Sequence, residues 1–176
     1  MKEIYIVLTH TGTILSKIIK AYTNDEFSHV SIALDNDLQE MYSFGRLDPF
    51  NPFIGGFVHE YIDNGTFKRF YNTVTRIYSL QVTEEQYELM KDEIDYFSSH
   101  KEEYKFDIMG LFFTALHINF VREHRLYCAS FVKSIMDSAN LKTQLPEPIK
   151  PEDFKKLENL DSTSIVYEGL LSQYNK

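Results

Sequence analysis

The chain holds one cysteine, Cys128, and six histidines, so thiol chemistry has one place to start and few partners to choose from. Cys128 follows Tyr127 and opens a run in which Phe131, Val132, Ile135, Met136 and Ala139 recur at helical spacing. A thiol in the first turn of a helix sits at the positive end of the helix dipole. The amides there lack intrahelical partners, so the setting favours a thiolate and supplies donors for an oxyanion. A lone cysteine on an apolar helix is more often a small core residue, so the placement gains meaning only beside a base.

His29 is the candidate base. It begins the segment His29-Val30-Ser31-Ile32-Ala33-Leu34, whose alternation puts Val30, Ile32 and Leu34 on one face and His29, Ser31 and Ala33 on the other. Asp35-Asn36-Asp37 is turn chemistry, and Leu38 to Phe44 reads as the returning strand of a hairpin. With a two-residue loop at Asn36 and Asp37, Ala33 sits opposite Glu40, which brings Glu40 to the face of His29. A carboxylate there orients an imidazole and stabilises its protonated form, as a cysteine nucleophile requires. A register shift of one replaces Glu40 with Met41, which cannot do this, and a shift of two gives Tyr42, which can. Of the other histidines, His10 falls in a turn, His59 lies beside Glu60 at the end of a long loop, and the rest read as surface or helix residues.

The elements that must position these groups are legible in outline. Ile4 to Leu8 reads as a buried strand, and Ile14, Leu15, Ile18, Ile19 and Tyr22 have the spacing of a helix ending near Asn24. Gly45 to Gly65, with four further punctuating residues in Pro49, Pro52, Gly55 and Gly56, reads as a long, phenylalanine-rich ordered loop or flap over an apolar cleft. Residues 67–82 read as one or two strands. Thr83 and Gln86 form a capping box for a helix from Glu84 to about Ser98. Phe106 to Val121 and Cys128 to Asn140 read as two more helices, and Asp153 to Lys176 as a tail of short elements. Arg46, at the start of the flap, suits a substrate carboxylate; Tyr42 and Tyr127 are the other expected substrate contacts.

Composition narrows the classes. The 176 residues suit a single domain spanning 1–176, with 43% hydrophobic and 25% charged residues as in an ordinary globular chain. A net charge of −8, with no basic cluster, argues against a nucleic-acid partner. No run approaches the ~20 apolar residues of a membrane span, and the short apolar start is not a secretory signal, so the expected location is the cytoplasm. One cysteine excludes an internal disulfide and multi-cysteine zinc sites, and no metal or cofactor is expected. Oligomeric state is left open.

Two segments together resemble a known family. Phe27-Ser28-His29-Val30-Ser31-Ile32-Ala33-Leu34 with Leu38 to Arg46 resembles the histidine strand and following strand of YiiX-like proteins in the NlpC/P60 superfamily, and Tyr127-Cys128-Ala129-Ser130-Phe131-Val132 resembles their cysteine helix. Histidine precedes cysteine, the order of the circularly permuted branch. The resemblance implies an α+β, papain-like fold in which a helix bearing the nucleophile packs on an antiparallel sheet bearing the base. It implies Cys128 as nucleophile, His29 as general base and Glu40 as third residue of a thiol hydrolase or acyltransferase, acting on a peptide-like or acyl-bearing small substrate. The alternative is a catalytically silent binding or interaction module of the same fold.

Overall fold

The structure is a computed structural model that describes residues 1–12, 25–48, 50–107, 110 and 123–174. Six strands pair into one antiparallel sheet: β1 (Lys2–His10), β2 (His29–Ala33), β3 (Met41–Asp48), β4 (Asn51–Glu60), β5 (Val74–Val82) and, late in the chain, β8 (Thr163–Leu170). Their spatial order is β4-β3-β2-β1-β5-β8. Among the described residues, helices run over Gly65–Arg69 (α1), Glu84–Ser99 (α2) and Cys128–Ser138 (α3), with 3-10 helices at Pro151–Asn159 and Leu171–Gln173. Two two-residue strands, β6 (Lys105–Phe106) and β7 (Arg125–Leu126), pair in parallel beside the main sheet. The chain is therefore a mixed α+β fold built on an antiparallel sheet.

The strand alternation expected for His29 to Leu34 splits the sheet into two faces. Ile4, Ile6, Leu8, Val30, Ile32, Phe44, Tyr78 and Leu80 belong to the larger core, together with Met90, Ile94 and Phe97 of α2 and Phe131, Val132, Ile135 and Met136 of α3. Tyr5, Val7, Ala33, Met41 and Ile77 belong to a smaller core closed by Phe67 of α1 and by Leu171. Helix α2 starts where the capping box places it: Thr83 Oγ1 accepts from the Gln86 amide at 3.1 Å and Gln86 Oε1 accepts from the Thr83 amide at 3.0 Å.

Four expectations need correction. The β2–β3 connection is seven residues long, 34–40, because Asp35 accepts from the amides of both Gln39 (2.9 Å) and Glu40 (2.7 Å), and buried Leu38 adopts a positive φ of 54°. Ala33 consequently pairs with Met41 rather than with Glu40. The glycine- and phenylalanine-rich stretch is not a flap but the β3–β4 hairpin, with Phe44 opposite Phe57 and Gly45 opposite Gly56. Residues 65–69 are helical, started by Asn64 Oδ1 accepting from the Gly65 amide, and only 74–82 form the strand. The C-terminal tail contains a full edge strand, β8, paired with β5 over seven positions. The helix expected over residues 13–24 lies outside the described residues, as does most of the one expected from Phe106 to Val121, of which Phe106 belongs to strand β6.

Candidate active site

His29 opens β2 opposite Thr9 of β1 and carries its ring on the face shared by Ser31 and Ala33. Its Nε2 lies 3.0 Å from Glu60 Oε1 and 3.3 Å from Glu60 Oε2, and the Ser31 hydroxyl lies 3.3 Å from the same nitrogen. Ser31 donates to Glu60 Oε2 at 2.5 Å. Glu60 reaches the imidazole from β4, two strands away, across Gly45. A Cβ on Gly45 would stand 3.3 Å from His29 Cε1 and 3.4 Å from Glu60 Oε1, so the position is kept open for the ring.

Cys128 is the first residue of α3, whose inner stripe packs on the opposite face of the sheet through contacts such as Phe131 with Phe44, 5.2 Å between ring centroids. Cys128 is one of the groups that act on the His29 imidazole, by hydrogen bonding and by charge. Backbone pairing between β2 and β3 runs through Ala33–Met41 and Ile32–Tyr42; at Val30 the carbonyl instead accepts from the Ser43 hydroxyl at 3.0 Å. Burial on its own lowers the His29 pKa. The opposing pull of the Glu60 carboxylate, and hydrogen bonding and charge from Cys128 and Glu60, outweigh it and hold the ring up at about 10. The imidazole side chain is 19% accessible and the Glu60 side chain 9%, so the pair sits at the edge of solvent.

The remaining candidates divide. Glu40 is exposed in the β2–β3 turn and its amide is tied to Asp35, while Glu60 occupies the place beside His29 that Glu40 was expected to hold. Tyr42 lies on the α3 side of the sheet, stacked on His59 at 4.6 Å and on Phe57 at 5.9 Å. Tyr127 is buried and donates its hydroxyl to the Ile149 carbonyl at 3.0 Å, an anchor for the start of α3 rather than a cleft residue. Arg46 is partly buried and lines a pocket of about 200 Å³ with Leu47, Val58, Glu60 and Phe67. Burial and the neighbouring Arg69 both lower its pKa. Of the predicted residues, then, Cys128 and His29 come together, Arg46 lines a pocket that Glu60 shares, and the other three stand apart.

Glu60 was missed because Pro52 and three glycines made 45–65 look irregular. Read instead as a strand, Val58 and Glu60 fall on one face, and that alternation was the available signal. Among the described residues no group of three or more His, Cys, Asp or Glu side chains is arranged to hold a metal ion, and no helix is long and apolar enough to cross a membrane. No family model, curated protein or solved structure matches the chain.

Proposed function

We propose that the chain is a thiol hydrolase of amide or ester bonds, of the circularly permuted, papain-like NlpC/P60 kind, in which Cys128 is the nucleophile, His29 the acid–base and Glu60 the residue that orients the imidazole. One observation carries the reading: a single imidazole is held between a carboxylate and a thiol that opens a helix. His29 takes the thiol proton, and Cys128 Sγ attacks the carbonyl carbon and forms the C–S bond as the carbonyl electron pair moves onto oxygen. First-turn amides of α3 are the donors suited to that oxyanion. Collapse expels the amine or alcohol, which takes its proton from His29, and leaves a thioester. Water then attacks the thioester, His29 takes its proton and returns it to Sγ, and the acid departs. Substrates of this chemistry are peptide-like or acyl-bearing small molecules.

The test is the rate of iodoacetamide alkylation of Cys128 between pH 5 and 9 in the native protein and in His29→Ala. The expected result is rapid native labelling near neutral pH that falls at least about tenfold in His29→Ala. A second reading has its own observation: Cys128 is 2% exposed, which suits a small core residue in a silent binding module. That reading holds instead if the thiol labels only after denaturation and at the same rate in both proteins.

A further inference from the structure

We infer that Ser31 is a positioning residue for this site, holding the Glu60 carboxylate in the orientation at which it takes the Nε2–H of His29 and leaves Nδ1 to Cys128. The inference rests on the thiol-hydrolase reading and adds to it the device that fixes the tautomer. Ser31 is two residues along β2 from His29, on the same face, and is fully buried. Its hydroxyl carries one proton and has two polar neighbours, Glu60 Oε2 at 2.5 Å and His29 Nε2 at 3.3 Å. An ionised carboxylate only accepts, so the proton belongs to the shorter contact, and toward His29 the serine oxygen can then only accept. Both neighbours of Nε2 are therefore acceptors, and Nε2 must be the protonated nitrogen.

Glu60 arrives from β4 on a side chain with three rotatable bonds, and its Oε1 alone does not fix the carboxylate against rotation. The Ser31 bond to Oε2 adds the second point. The arrangement differs from a serine that merely satisfies its own hydroxyl, since Ser43 and Thr75 do that on backbone carbonyls (Val30, 3.0 Å, and Leu8, 2.8 Å), whereas Ser31 is bonded to the group that pairs with the imidazole.

The experiment is an NMR titration of the His29 imidazole, with ring nitrogen shifts read for the tautomer, in the native chain, Ser31→Ala and Ser31→Thr, each checked for a native melt. Alkylation of Cys128 is followed across the same pH range. In Ser31→Ala the loosened carboxylate should lower the His29 midpoint by about one pH unit and mix the two neutral tautomers, and Ser31→Thr should restore both. A midpoint that stays in place or rises in Ser31→Ala overturns the inference, because the hydroxyl would then only satisfy itself or disperse the Glu60 charge. The titration does not depend on thiol reactivity: a Cys128 that is inert in the native protein removes the hydrolase reading, while the imidazole signal still decides the role of Ser31.

Discussion

The two faces of the sheet are built to different rules. The face beneath α2 and α3 is apolar across its centre, from Ile4, Ile6 and Leu8 through Val30, Ile32 and Phe44. The other face is apolar only toward Tyr5, Val7, Ala33 and Met41; the part around His29 carries Thr9, Ser31, Ser43, Glu60 and Thr75. An apolar face is stabilised by area and packing and tolerates no gap. A polar buried face is stable only as far as each group finds a partner, so its geometry is specified one hydrogen bond at a time. The candidate site draws on both: Cys128 comes from the rigid helix over the first face, and His29 from the polar strip of the second. Fixed placement of the thiol and individually directed orientation of the imidazole are the two things a nucleophile–base pair needs.

The contrast breaks most visibly on the apolar side. Phe131 is fully buried and packs against Phe44, Phe57 and Phe97 with ring centroids 5.2, 5.8 and 5.3 Å away. Phe131→Ala should therefore cost about 3–5 kcal/mol in urea unfolding, because the four-ring cluster cannot collapse into the space left behind. The loss should be independent of pH.

On the polar side the effect should be pH-dependent instead. His29 has a folded pKa of about 10 against an ordinary 6.5, so its pairing contributes fully below pH 6.5 and is lost as pH rises through 10. Unfolding free energy of the native protein should decline over that interval by on the order of 2–4 kcal/mol, allowing for the partial exposure of the ring. His29→Gln should flatten this part of the profile. An equal slope in native protein and variant would show that the imidazole holds no excess proton in the folded state.

How much of this was legible in the sequence follows the same division. Helix α3, α2 with its capping box, and the alternation of β2 are set by local patterns within a few residues, and they were readable. The expectation that Cys128 pairs with His29 rests only on the motifs around them, since no local rule links two segments so far apart. The third residue was not readable, because it depended on register. Asp35 caps both Gln39 and Glu40 and lengthens a turn whose residue types equally fit a two-residue loop, and that one difference removes Glu40 from the face. Glycines misled for a related reason: Gly45 and Gly55 lie inside strands where a ring and a neighbouring chain come close, a demand invisible until the strands are paired. Likewise β8 could not be placed, since its partner β5 precedes it by more than 80 residues.

The finest version of the comparison concerns two threonines that pair across β1 and β5. Thr9 and Thr75 are directly opposite one another and both are buried. Thr75 donates to the Leu8 carbonyl at 2.8 Å, whereas the Thr9 hydroxyl has no hydrogen-bond partner among the described residues. A buried hydroxyl without a partner costs about 1–3 kcal/mol, and valine replaces it with a methyl of nearly the same shape. Thr9→Val should therefore raise stability by up to about 1 kcal/mol, while Thr75→Val, which strips a made bond, should lower it by about as much. Paired urea melts would resolve the difference, with the His29 titration as a check that the strip keeps its geometry. Equal losses in the two variants would mean that the Thr9 hydroxyl does have a partner in solution, and a His29 midpoint that moves in Thr9→Val would identify that partner as part of the His29–Glu60 network.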